Sequence, residues 1–216
     1  MLRPRTLAVL VALILLIAGC GGTALPASSA PTSTAAPAPT ELPAPTTAGE
    51  PAVSTGKYTR AAFGGGWADL ELPRGCDTRE EVLARDAATA TYGRDGCVAT
   101  VAIIDPYTGL PVSGRANIDI DHVVALADAW RSGAFAWTDE QRRLFANDKS
   151  NLLATADEVN VAKSDRGPDR WRPPSRAGWC VYAGTYARTK DTYQLAVTAA
   201  QRAAVAELTS VCGSDR

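Results

Sequence analysis

Ile118-Asp119-Ile120-Asp121-His122-Val123-Val124 alternates apolar and polar side chains and then turns wholly apolar. Alternation of this kind is the signature of a strand with one face buried. The run ends on the only histidine of the chain, His122, directly after a carboxylate. Imidazole has an ordinary pKa close to neutrality, so an Asp-His pair at a strand end is a candidate catalytic centre. Taken alone it is more often structural, the aspartate merely fixing a histidine tautomer.

Working outward, Cys97 to Ile104 is rich in Val, Ile and Thr and reads as a strand, with turn residues in Asp105-Pro106-Tyr107-Thr108-Gly109. On the other side, Val123 to Trp130 reads as a helix. Thr138-Asp139-Glu140-Gln141 is a capping box opening a helix through Phe145, and Thr78-Arg79-Glu80-Glu81 is another ahead of Val82 and Leu83. Asn151 to Thr155 suits a short strand and Asp157 to Lys163 a helix, while Thr198-Ala199-Ala200-Gln201 caps a last helix reaching Cys212. These readings give a mixed α+β domain over residues 57–216, helix-rich with a small sheet. Trp130, Phe135 and Trp137 are expected in its core.

The first 56 residues have a different composition. Arg3 and Arg5 precede an apolar run from Leu7 to Ala18, too short to span a bilayer comfortably but suited to the h-region of a signal peptide at residues 1–19. Leu16-Ile17-Ala18-Gly19-Cys20 resembles a bacterial lipobox, which implies cleavage before Cys20 and lipidation of its thiol. A plain secretory leader with an incidental cysteine is the alternative. Either reading exports the protein, and the first anchors it to the outer face of the cell membrane. Residues 20–56 are nearly all Pro, Ala, Ser, Thr and Gly, too poor in large apolar groups to offset the entropy of ordering, and read as a disordered tether.

Loss of Arg3 and Arg5 with the leader makes the formal net charge of −1 more negative, so no global positive field marks a nucleic-acid binder. Beyond Cys20, the cysteines are Cys76, Cys97, Cys180 and Cys212, an even set in an exported chain, which points to two disulfides. Three pairings are open. Cys76 with Cys97 and Cys180 with Cys212 is favoured, since each would staple a local helical unit. A four-cysteine zinc site lacks any Cys-x-x-Cys spacing.

Around His122 stand Asn151-Leu152-Leu153 and Asn160-Val161-Ala162-Lys163, with Asn160 and Lys163 on one face of a helix. This order resembles the HNH nuclease motif, a β-hairpin and a helix that clasp one metal ion. The likeness extends through Ala129-Trp130-Arg131-Ser132-Gly133-Ala134, Phe145-Ala146-Asn147-Asp148 and Asn160-Val161-Ala162-Lys163-Ser164, over roughly residues 75–212. These segments look like exported HNH family proteins of actinobacteria, which are similar to the C-terminal domain of GmrSD-type restriction endonucleases. The resemblance implies a ββα-metal (HNH, or His-Me finger) core with additional helices, stapled by disulfides. The 28 residues between His122 and Asn151 are a long insertion for that motif.

The roles it implies follow what phosphodiester cleavage requires. His122 is the general base that takes a proton from water. Asp121 and the Asn160 amide oxygen are hard ligands for a divalent cation, Mg²⁺ first and Mn²⁺ as a substitute. Asn151 would hold the His122 loop in place. Lys163, Arg166 and Arg170 would contact the nucleic-acid backbone, in a segment that also carries Arg172 and Arg176, and Trp171 would either stack on a base or pack inside. Asp119 shares the Asp121 side of the strand, either beside the metal or facing solvent. Asn147 and Asp148 read either as loop and helix-end residues or as part of the site. The expected activity is hydrolysis of DNA, less readily RNA. A non-catalytic surface lipoprotein, using a degenerate nuclease fold as a binding module, is the competing expectation.

Overall fold

Two antiparallel sheets and six α-helices make up the computed structural model, which describes residues 56–68 and 76–213. The described residues belong to one unit, Leu42–Arg216. The segments expected to be signal peptide and tether, Cys20 included, lie outside the described residues except for Gly56.

In chain order the elements are α1 (Thr78–Asp86), β1 (Ala87–Tyr92), β2 (Val98–Ile104), β3 (Pro111–Ser113), β4 (Ile118–His122), α2 (Leu126–Arg131), α3 (Asp139–Ala146), β5 (Leu152–Ala156), α4 (Asp157–Lys163), α5 (Trp179–Thr192) and α6 (Ala199–Thr209). Strands β1, β2 and β3 form one sheet in that order, and β4 pairs with β5 in a second. The β4–β5 register sets Ile118 opposite Ala156, Ile120 opposite Ala154 and His122 opposite Leu152. Ile118, Ile120, Leu152 and Ala154 share one core with Val82, Leu83, Val98, Val101 and Ile103, so this face packs on α1 and β2. Helix α4 follows β5 without a linker and covers the other face.

A two-stranded sheet is marginal by itself, and here helix α1 ties down its exposed backbone. Asp86 accepts the Ala154 N–H at 2.9 Å, Arg85 donates to the Leu152 carbonyl at 2.6 Å, and Arg79 donates to the Ile118 carbonyl at 2.7 Å. Helix α1 begins one residue earlier than its apparent capping box. Asp77 is the cap, accepting from Glu80 N–H, and the Thr78 hydroxyl instead donates to the Ala68 carbonyl. The boxes at Thr138 and Thr198 are both formed. Val123 and Val124 are not helical: they extend the strand path, and the Val123 N–H bonds the Asn151 carbonyl at 2.9 Å. Helix α2 starts only at Leu126.

Both favoured disulfides are present, Cys76–Cys97 and Cys180–Cys212. The second joins the start of α5 to the turn after α6 across 32 residues and holds this helical pair as a unit. Its loop length corresponds to roughly 3 to 4 kcal/mol in the chain-entropy model. Replacing both Cys180 and Cys212 by Ser is expected to lower the unfolding free energy by about that amount in urea titration. An unchanged midpoint would show that α5 and α6 hold together without it.

Candidate active site

The pleat of β4 sends neighbouring side chains to opposite faces, and this decides the environment of each candidate. Asp121 points toward α4 and His122 toward the α1 side, against Trp67 and the end of α3.

His122 is buried. Its ring lies flat on the Trp67 indole, with centroids 5.4 Å apart and planes inclined by 7°. Its Nε2 is 2.8 Å from the Ala146 carbonyl oxygen. A carbonyl can only accept, so Nε2 carries the proton in the neutral ring and Nδ1 keeps its lone pair. Burial pushes the imidazole down to about 4, against the smaller opposing pull of the Ala146 carbonyl and Asp121. The ring is therefore neutral at pH 7. His122 lines a cleft of about 30 Å³, room for a water molecule, together with Arg60, Phe63, Gly65, Gly66, Trp67, Leu126 and Ala146.

Asn151 is fully buried and fixes the segment beyond His122. Its Oδ1 accepts the Val124 N–H at 2.8 Å and its Nδ2 donates to the Val124 carbonyl at 3.1 Å. One side chain thus satisfies both backbone groups of a residue two positions past the imidazole. Asn147 acts similarly on the other wall: it ends α3, and its Oδ1 accepts the Ala68 N–H at 2.8 Å, next to the stacked Trp67. Asp148 is structural, capping the turn to Asn151 and accepting from the Tyr193 hydroxyl.

The donors expected to hold a metal are engaged otherwise. Asp121 Oδ1 accepts from Lys163 Nζ at 2.8 Å and Oδ2 from the Tyr107 hydroxyl at 2.6 Å. The pair is sealed, with the side chains of Lys163 and Asp121 0 % and 3 % exposed. Lys163 Nζ also donates to the His122 carbonyl at 2.9 Å. Burial and the adjacent Asp121 push the Tyr107 hydroxyl well above its usual range, so it stays a neutral donor. Asn160 turns to Asp119, donating from Nδ2 to Oδ2 at 2.7 Å. A divalent cation at Asp121 and the Lys163 ammonium in this place exclude each other, so the expected Asp121/Asn160 donor set does not fit as arranged. Among the described residues no group of three or more His, Cys, Asp or Glu side chains is placed to hold a metal ion.

Lys163 therefore departs from its expected place against a nucleic-acid backbone, because a buried carboxylate claims its charge. Arg166 and Arg170 are exposed as anticipated, though Arg170 lies 3.8 Å from Asp169. Arg172 is bound by Glu207 through two contacts of 2.6 Å, and Arg172 and Arg176 lie over the Trp179 ring. Trp171 is half-buried and packs edge-on against Tyr107 and Tyr182, in keeping with the packing alternative. Sequence reasoning passed over Arg60 and Trp67, and left the role of Asn147 open. The triplet Gly64-Gly65-Gly66 between an arginine and a tryptophan was the available signal.

With this geometry in view, residues 77–208 match the family described as GmrSD restriction endonucleases, C-terminal domain. The chain belongs to that family. The matched span contains Asp121, His122, Asn151, Asn160 and Lys163, and excludes Arg60 and Trp67. A protein of Arthroderma benhamiae described as an uncharacterized secreted protein is 41% identical over 139 residues, covering 63% of this chain and 68% of its own length. That relative is fungal, and nothing in these matches ties the chain to actinobacteria.

Removing the Lys163 ammonium strands a buried carboxylate, which commonly costs about 3–5 kcal/mol. Lys163→Met is expected to lose stability of that order in denaturant titration, and Lys163→Met with Asp121→Asn to regain part of it. If the double variant is no more stable than Lys163→Met, the pair is not coupled as described.

Proposed function

We propose that this chain is an exported HNH-type phosphodiester hydrolase, an endonuclease acting on DNA in preference to RNA, on a ββα core formed by β4, β5 and α4. The observation that carries the proposal is the state of His122: a neutral ring held by the Ala146 carbonyl, with the lone pair on Nδ1, on a cleft of water size. Family membership supports the same reading.

In this mechanism a water in the cleft gives its proton to Nδ1 as its oxygen attacks phosphorus, and one P–O ester bond breaks toward the leaving alkoxide. As Nδ1 gains the proton, the Ala146 carbonyl stabilises the imidazolium through Nε2–H. An approaching phosphodiester anion favours the charged ring and opposes the burial that depresses its basicity. Asn151 holds the strand end, so the imidazole need not reorganise. A divalent cation, Mg²⁺ or Mn²⁺, would stabilise charge on the phosphate when bound. The proposal includes a metal requirement, and the Lys163–Asp121 pair means that the ligands named from sequence would have to rearrange to meet it.

The secreted relative supports export of this chain, and the leader supports anchoring at Cys20 to the outer face of a bacterial membrane. One observation favours the competing reading, a binding module on a nuclease fold: Asp121 is already neutralised by an internal lysine.

Plasmid nicking by the full chain decides between them. Nicking with Mg²⁺ or Mn²⁺ that EDTA stops is expected, together with a fall of at least about a hundredfold in His122→Gln. No nicking by wild type with any divalent cation, alongside retained DNA binding, would overturn hydrolysis. EDTA-resistant nicking would overturn the metal requirement alone.

A further inference from the structure

The mouth of the His122 cleft is built by a segment outside the matched family region. Arg60 begins a short 3₁₀ turn, Arg60–Phe63, whose Phe63 is buried against Trp130 and Phe145. The turn ends on Gly64, in the left-handed region at φ 97°, followed by Gly65 at φ 72°. Trp67 then stacks on His122, and Ala68 is clamped by Asn147 and by Thr78. The segment is anchored at both ends and spans the cleft.

Three groups on this span have no hydrogen-bond or ion-pair partner among the described residues. Arg60 is exposed and makes no hydrogen bond or ion pair among the described residues. Most other arginines near the site are committed: Arg79 and Arg85 to carbonyls of β4 and β5, Arg131 to Asp165, Arg142 to Asp139, and Arg143 to Glu140. The Gly65 and Gly66 amides likewise donate to no acceptor among the described residues. Both glycines line the cleft, and a Cβ at either would meet nothing within 4 Å, so no neighbour crowds this stretch of backbone on its side-chain side. Successive backbone N–H groups with a neighbouring guanidinium form a concavity suited to anions. Arginine matches the paired oxygens of a phosphate. The charge on Arg60 is also felt at the His122 ring.

From this geometry we infer that Arg60, with the Gly65 and Gly66 amides, binds the scissile phosphodiester at the mouth of the cleft, placing phosphorus beside the water that His122 activates. The assignment rests on the nuclease reading above but names a different part of the molecule. The cleft has room for a water but not for a phosphate, so the phosphate must sit at its rim, and among the lining residues Arg60 carries the positive charge.

The test compares wild type, Arg60→Gln and Arg60→Lys as full chains, by cleavage kinetics on duplex DNA and by fluorescence anisotropy with a labelled duplex in the His122→Gln background. Loss of one charge-assisted contact predicts a roughly ten- to hundredfold lower kcat/KM for Arg60→Gln. The salt dependence of binding should fall by about one counterion, with partial recovery in Arg60→Lys and no change in melting temperature. If Arg60→Gln cleaves and binds like wild type, the phosphate assignment is wrong while the nuclease reading stands. Wild type that binds DNA through Arg60 without cleaving it would support the phosphate site and overturn hydrolysis.

Discussion

The ammonium of Lys163 holds the site together from below. It joins the last residue of α4 to the Asp121 carboxylate and to the carbonyl of His122, and so ties helix to strand at the position where the imidazole leaves the backbone. Stripping water from both charges costs several kcal/mol each, and an ion pair offsets this only when its remaining hydrogen-bonding capacity is also met. Here the Tyr107 hydroxyl donates to the second carboxylate oxygen and the His122 carbonyl accepts another ammonium N–H. A second trio repeats the arrangement on the helical side, where Lys190 pairs with Asp128 at 3.2 Å and Tyr186 donates to the same carboxylate at 2.8 Å. Tyr182 stands between the two, its ring centroid 5.8 Å from that of Tyr107 and 6.2 Å from that of Tyr186, with its buried hydroxyl bonded to none of the described residues.

With β4 fixed, its pleat separates the functions of adjacent residues. Asp121 serves the architecture through Lys163 and Tyr107, and His122 faces a different wall made by Trp67 and Ala146. Helix α3 contributes to that wall twice at its end: the Ala146 carbonyl orients the ring and Asn147 clamps the residue after Trp67. The connection between β4 and β5 that looks long for a compact motif is thus part of the site, since it delivers α3 to the imidazole.

Where sequence pattern and burial agreed, the sequence was legible. β4 alternates because one face is apolar core, and the capping boxes at Thr138 and Thr198 are local chemistry that needs no tertiary context. Strand β1 escaped notice because Ala87–Tyr92 is alanine and threonine, mostly exposed, and gains its structure from pairing with β2. Helix α5 was hidden because it buries Tyr182, Thr185, Tyr186, Thr189 and Lys190, polar side chains that make no apolar stripe. Lys163 misled for the same reason. It lies in a basic run, and only the fold reveals that its charge is consumed by Asp121. Arg60 and Trp67 carry no recognisable spacing to His122, because the contact is made by chain that precedes the first disulfide.

The proposed hydrolysis needs a neutral imidazole whose Nδ1 can accept a proton, and one histidine per chain makes this directly observable. Nitrogen-15 NMR of ring-labelled, metal-free protein through a pH titration reports tautomer and pKa together. The predicted result is a single neutral ring at pH 7 with the proton on Nε2, titrating near 4. A proton on Nδ1, or titration at the ordinary value of 6.5, would contradict it.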